Sequence, residues 1–129
     1  MLPGKCDVQL LVTAARSFYE DLLTAGARGK AKGGGVEIYE RQYVILHAKT
    51  MCIDNNLSIL GSTNLDYRSI DYNCELSLVI RSSEFGQQMR DLFDNDIKFA
   101  RRITNAEWRH RPMWDRFAQW TVKRARYLL

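Results

Sequence analysis

Val44-Ile45-Leu46-His47-Ala48-Lys49-Thr50-Met51-Cys52-Ile53-Asp54-Asn55-Asn56-Leu57-Ser58-Ile59-Leu60-Gly61-Ser62-Thr63-Asn64 holds two short apolar runs, rich in β-branched residues, on either side of a polar break. Asn55-Asn56 supplies a tight turn, so the spacing predicts strands over 44–53 and 57–61 joined as a hairpin. Chemistry-bearing residues punctuate both runs at fixed distances, in the pattern His-x-Lys-x4-Asp-x6-Gly-Ser-x-Asn. Side chains alternate faces along an extended strand, which puts His47, Lys49, Met51 and Ile53 on one side and Ala48, Thr50, Cys52 and Asp54 on the other. His47 and Lys49 can therefore address one anion together, whereas Asp54 is directed to a supporting role at the turn. Gly61 permits close backbone approach, and Ser62 and Asn64 offer a hydroxyl and an amide to phosphoryl oxygens.

The flanking sequence supplies the rest of an α/β layout. From Asp7 to about Ala25, Val8, Leu11, Val12, Ala15, Phe18, Tyr19, Leu22 and Leu23 recur at helical spacing, with Asp7 as N-cap and Gly26 as stop. Residues 27–35 form a basic, Gly-rich loop. Further strands are predicted over 36–40 and 74–81. Ser83, Glu84 and Gln87 open a helix running to about Arg102 with Phe85, Met89, Leu92, Phe93 and Ile97 as its buried stripe. A last helix from Met113 places Met113, Phe117, Trp120 and Leu128 on one side. The expectation is one domain, 1–129, with a central, mostly β sheet flanked by helices.

At 129 residues, 46% of them hydrophobic and 26% charged, the chain is long enough to bury a core without metal or disulfide staples. Its longest apolar runs are too short to span a bilayer, and Met1-Leu2-Pro3-Gly4-Lys5-Cys6 lacks the apolar centre of a signal peptide. Three cysteines form no Cys-x-x-Cys pair. Cys52 and Cys74 sit in apolar runs and read as small core side chains, as in a reducing compartment. The net charge of +4 is concentrated at Arg28, Lys30 and Lys32, and in the tail at Arg101, Arg102, Arg109, Arg111, Arg116, Lys123, Arg124 and Arg126. Such patches favour a polyanionic partner, phospholipid headgroups or nucleic acid, over a merely solvated face only when another signal supports it.

That signal is the motif. Substitution at phosphorus builds negative charge on the non-bridging oxygens, so fixed donors such as Lys49, Ser62 and Asn64 lower its barrier. His47 can supply the attacking nitrogen or a proton to the departing oxygen. Asn73 and Glu75 share one strand face, where a carboxylate could fix the tautomer of the imidazole. Asp66, Asp71 and Glu75 make no recognisable ligand cluster with His47, so neither metal nor cofactor is expected. Ser62 lacks the nucleophile-elbow context of a serine hydrolase.

The pattern resembles the HKD signature of the phospholipase D superfamily. His47-Ala48-Lys49-Thr50, Gly61-Ser62-Thr63-Asn64-Leu65-Asp66, Arg68-Ser69 and Asn73-Cys74-Glu75 are similar in particular to the C-terminal half of bacterial cardiolipin synthases. The likeness extends to Leu2-Pro3-Gly4-Lys5, Ser17-Phe18-Tyr19, Leu22-Leu23, the strand at Val36 to Glu40, and Trp108, Arg109 and Arg111. It implies a phospholipase D-like half-domain in which His47 is the active-site histidine, Lys49, Ser62 and Asn64 bind phosphate, Asp54 is structural, and Glu75 orients His47. Two such motifs face one another in that family, one histidine being phosphorylated while the other protonates the leaving alcohol. In a C-terminal half the resemblance favours the acid and base role for His47.

This chain has one motif, so a second half is expected from a copy of itself or from a longer chain. Residues 27–35 are an insertion relative to the family pattern. The resemblance implies phosphatidyl transfer between phosphatidylglycerol molecules at the bacterial cytoplasmic membrane, the chain being peripheral on the cytoplasmic face. The alternatives are a homodimeric phosphodiesterase or nuclease acting on nucleic acid, and an inert membrane-binding fragment. His110 reads as exposed. Trp108, Trp114 and Trp120 read as packing on their own domain, with entry into a lipid interface as the alternative.

Overall fold

The computed structural model describes residues 1–7, 9–28, 35–64 and 67–124. In chain order these form β1 (Leu2–Pro3), α1 (Gln9–Arg16), α2 (Tyr19–Arg28), β2 (Ile38–Arg41), β3 (Thr50–Ile53) and β4 (Leu57–Gly61). Then follow α3 (Tyr67–Asp71), β5 (Ser77–Arg81), α4 (Ser83–Ile97), β6 (Ala100–Ile103), α5 (Asn105–Arg109) and α6 (Met113–Arg124). The fold is mixed α/β. In place of one central sheet there are two three-stranded ones, ordered β1-β2-β6 and β3-β4-β5. They belong to two compact units, the first made, among the described residues, of 1–46 and 100–124, the second of His47–Phe99. The core of the insertion, 29–34, lies outside the described residues, as do Val8, Leu65, Asp66 and the end of the tail, which includes Arg126 and Leu128.

In the first unit, the single helix expected over 7–25 is two. Ser17 Oγ donates to Ala14 O at 2.6 Å, and Phe18 N–H bonds Ala15 O at 3.2 Å, so α1 tightens and ends before α2 begins. A serine hydroxyl that competes for helix carbonyls is the local cause. The break turns Tyr19, only 1% exposed, into a core of Leu23, Ile38, Ile103 and Trp108, with Leu2 packed alongside. The Tyr19 and Trp108 rings stand 5.0 Å apart, tilted by 43°. Leu11, Phe18 and Leu22, expected on the buried face, are exposed.

Strand β6 corrects the helix expected to reach Arg102. That helix stops at Ile97, the Lys98 N–H caps back onto Asn95 O and Asp96 O, and residues 100–103 pair antiparallel with β2, Ile38 facing Ile103. Backbone pairing with a strand far away in sequence overrides the local periodicity. Thr104 then opens α5 with a capping box to Glu107, which buries Trp108 at the next position.

In the second unit the β3–β4 hairpin forms as expected, with Ile53 opposite Leu57. Asp54 and Asn55 both take positive φ, 51° each, and Asn56 N–H closes the turn onto Ile53 O at 3.1 Å. The left-handed pair thus sits one residue earlier than Asn55-Asn56. Regular strand begins only at Thr50, and the strand predicted over 74–81 begins at Ser77. Helix α4 is capped by Ser82, whose side chain accepts Phe85 N–H. Its buried residue is Gly86, flanked by half-buried Phe85 and Met89, whereas Leu92 and Phe93 are exposed. The stripe shifts because α4 meets the hairpin at Gly86: a Cβ there would lie 2.2 Å from Asn55 O. Cys52 and Cys74 are exposed rather than core; Cys52 Sγ reaches Gly86 O at 3.6 Å.

Candidate active site

The residues singled out by the motif all fall in the second unit. Gly61 N–H donates to Lys49 O at 3.2 Å, which carries the β3–β4 ladder one residue beyond the start of β3 and fixes the Lys49 backbone beside the Gly-Ser turn. Glycine is required at 61 because a Cβ would come within 2.4 Å of Leu76 O. From this anchor the Lys49 ammonium reaches His47, with Nζ 2.8 Å from Nε2. Alternation along the chain had put both side chains on one side, and the structure brings them together. An ammonium can only donate, so in this arrangement Nε2 accepts and the imidazole proton resides on Nδ1. His47 is exposed and Lys49 half-buried, so both are open to an incoming anion.

The other end of the site is organised by Ser62 and Glu75. Ser62 N–H bonds Leu76 O at 3.0 Å and Leu76 N–H returns to Ser62 Oγ at 3.1 Å, while the Ser62 hydroxyl donates to Glu75 Oε2. Asn73 Nδ2 donates to Glu75 Oε1 at 3.4 Å. The hydroxyls of Ser62 and Ser69 hold the Glu75 carboxyl below the ordinary carboxylate range, with smaller help from Asn73 and from the positive charge of Lys49. Donors that stabilise the charged form outweigh the slight desolvation that opposes them.

Glu75 therefore does not meet the expectation that it orients His47: its hydrogen bonds go to Ser62, Ser69 and Asn73. The reason is register. Gly61 pairs with Ser77, so the next step sets Ser62 opposite Leu76, from where its hydroxyl reaches the neighbouring Glu75 carboxylate. Asn64 Nδ2 lies 3.5 Å from Ser69 Oγ, so Ser69 links the Asn64 amide to Glu75. Ser69 is buried on α3. The sequence marks Arg68-Ser69 as part of the family likeness without assigning Ser69 a role in the site. Asp54 stands apart, at the hairpin turn five residues beyond Lys49, roughly 16 Å along an extended strand.

Elsewhere, Trp108 packs in its own unit as expected, while Trp114 and Trp120 are exposed, which corrects that reading for two of the three indoles. His110 is exposed at the end of α5. Among the described residues no helix is long and apolar enough to cross a membrane, and no group of three or more His, Cys, Asp or Glu is placed to hold a metal ion.

An ammonium, an imidazole, a serine hydroxyl and an amide are groups chemically suited to a phosphate ester. Residues 4–97 match the family described as "Cardiolipin synthase, PLD-like domain". Cardiolipin synthase A of Klebsiella pneumoniae subsp. pneumoniae is 36% identical over 119 residues, which make up 92% of this chain and 23% of that protein. The proteins of the same name from Cronobacter sakazakii and Serratia proteamaculans are 35% and 34% identical over the same share. The matched stretch is the C-terminal part of these relatives, so the chain spans about a quarter of their length. No solved structure matches. The chain belongs to the phospholipase D-like family described as "Cardiolipin synthase, PLD-like domain".

Proposed function

We propose that this chain is one catalytic half of a phosphatidyltransferase that joins two phosphatidylglycerol molecules into cardiolipin. The observation that carries the reading is the contact of Lys49 Nζ with His47 Nε2, 2.8 Å, inside a motif that lies within the matched family region. A substrate phosphate would draw the Lys49 ammonium from the imidazole to its own oxygens, freeing Nε2 to take up from solvent the proton that the leaving oxygen later receives, while Ser62 and Asn64 share the two non-bridging oxygens with Lys49. The Ser62 hydroxyl would have to be shared with Glu75, whose carboxylate holds it in place.

The chemistry runs in two balanced steps. An imidazole nitrogen of a second half attacks the phosphorus of one phosphatidylglycerol; the bond to its headgroup glycerol breaks, and His47 gives that oxygen a proton. A hydroxyl of a second phosphatidylglycerol then attacks the phosphohistidine, returning its proton to His47 as the imidazole leaves. The net change converts two phosphatidylglycerols to cardiolipin and glycerol. The second half comes from another copy of the chain or from the rest of a longer one, and the site works at the surface of the bacterial cytoplasmic membrane.

The test is cardiolipin formation in phosphatidylglycerol vesicles by the chain supplied with its second half. His47→Ala should lower the yield by about two to four orders of magnitude, and an unchanged yield would refute the assignment. DNA cleavage in the presence of chelator without lipid turnover would select a homodimeric nuclease instead. Lipid binding with neither turnover nor pairing would mark an inert fragment.

A further inference from the structure

Helix α6 presents two unlike faces. Its packed side carries half-buried Ala118 and Val122 and buried Gln119, and it lies against α1. Lys123 is tied to this side as well, donating to Asp21 at 2.5 Å. The outward side carries Met113, Trp114, Phe117 and Trp120, exposed to 74%, 77%, 56% and 52%. These side chains recur at helical spacing and their rings form a continuous run: Trp114 to Phe117 is 5.9 Å between centroids and Phe117 to Trp120 is 6.1 Å. The charged residues on this face are Arg116 and Arg124, and the Arg124 guanidinium lies over the Trp120 ring at 4.3 Å. The single acid of the helix, Asp115, belongs to the packed side, where it lines a cavity with Thr13, Arg16 and Gln119.

We propose that this face of α6 is a docking surface for an anionic phospholipid bilayer, the helix lying in the plane of the interface. Apolar surface alone would leave the occupant open; the charge distribution selects it. The face carries two arginines and no carboxylate, complementary to acidic headgroups. Its apolar residues are mostly aromatic, and ring systems of this kind sit at headgroup depth, where their amphipathic edges remain hydrated. Arginine stems can lie along the rings and lift their charge to the phosphate level. Twelve residues make a rod about 18 Å long, enough to insert three rings side by side. The inference rests on the reading that the substrate is an anionic lipid, and it adds an element through which the chain meets that surface.

The experiment is flotation of the full chain with vesicles of phosphatidylcholine containing 30% phosphatidylglycerol, at ~0.1 M salt, together with quenching of tryptophan emission by brominated acyl chains. Binding and quenching are expected with the acidic vesicles and not with pure phosphatidylcholine. Trp114→Ala with Trp120→Ala should abolish the quenching and weaken binding at least tenfold. Arg116→Gln and Arg124→Gln should each weaken binding about fivefold. Unchanged circular dichroism in each variant shows that the fold is retained.

His47→Ala must bind as the parent does, so the surface can fail while catalysis stands, or the reverse. Equal binding to neutral vesicles, or quenching unaffected by the paired tryptophan substitution, would overturn the proposal. So would a dimer in lipid-free solution that the same substitutions dissociate, since that would make the face a protein interface.

Discussion

The Ser62 hydroxyl donates to the Glu75 carboxylate from thirteen residues away, while its oxygen accepts the N–H of Leu76. One small side chain thus joins the Gly61-Ser62 turn to the residues that lead into β5. Because this bond is the largest cause of the lowered Glu75 pKa, Ser62→Ala should raise the Glu75 titration toward 4.5, its ordinary value. The sign for stability follows. A depressed carboxylate contributes stability that is present above 4.5 and is lost as pH falls through the folded value. The parent should therefore lose stability below that pH more steeply than Ser62→Ala, as read by carbon NMR of the carboxyl and urea melts across the range. An unchanged Glu75 titration in the variant would show that Ser62 does not control it.

How much of this was legible in the sequence depends on the range over which each feature is decided. The His47–Lys49 pairing and the β3–β4 hairpin follow from alternation and a turn within a few residues, and both were readable. The Ser62–Glu75–Ser69 linkage was not, because it depends on the register between β4 and β5 and on where α3 lands. The same holds for β6: Ala100–Ile103 continues a helical pattern, and only pairing with Ile38–Arg41 makes it a strand. Ser17 shows the opposite failure, since the hydroxyl that ends α1 is local but lies inside an unbroken apolar periodicity. Trp114 and Trp120 looked like core residues because hydrophobicity does not say whether a face has a partner.

Arg16 grips Glu40 through Nε and Nη2, both at 2.8 Å, and Glu40 is 1% exposed. Removing the cation alone leaves a buried carboxylate without its counter-charge, so Arg16→Met should destabilise the fold by about 3 kcal/mol. Glu40→Gln, which keeps an acceptor for Tyr19, should cost about 1–2 kcal/mol. The double variant should be less unstable than the sum of the two. Additive losses in urea melts would show that the pair is not coupled.

Tyr19 bonds the same carboxylate, with its hydroxyl 3.2 Å from Glu40 Oε1. Burial first, and then the negative charge of Glu40, raise its phenol well above the ordinary 10. A raised folded pKa means stability that is complete below pH 10 and lost as pH climbs toward the folded value. Spectrophotometric titration should show one tyrosine ionising only as the fold is lost, and that late step should vanish in Tyr19→Phe. A titration with every tyrosine near 10 would contradict the buried hydrogen bond.

Asp54 belongs to the motif yet sits at the turn with φ of 51°. Asparagine and glycine adopt that conformation readily, whereas a β-branched residue resists it by about 1–2 kcal/mol. Asp54→Gly and Asp54→Asn should keep most of the proposed transferase activity in the paired protein, and Asp54→Val should lose stability and that activity together. If Asp54→Gly folds normally but is inactive, Asp54 does more than shape the turn.

Gly86 lies inside α4, where alanine would ordinarily be preferred by ~1 kcal/mol. Here the added methyl would meet backbone atoms rather than a yielding side chain: Asn55 O at 2.2 Å, Asn55 C at 2.4 Å and Asn56 N at 2.9 Å. The turn cannot simply retreat, because Ser82 N–H holds Asn56 O at 2.8 Å. Gly86→Ala should therefore destabilise the second unit by about 1–3 kcal/mol, with faster hydrogen exchange at the Ser82 amide as the helix start parts from the turn. Gln88→Ala, on the exposed side of the same helix, should stay within ~0.5 kcal/mol of the parent. A neutral or stabilising Gly86→Ala would mean that α4 does not approach the hairpin this closely.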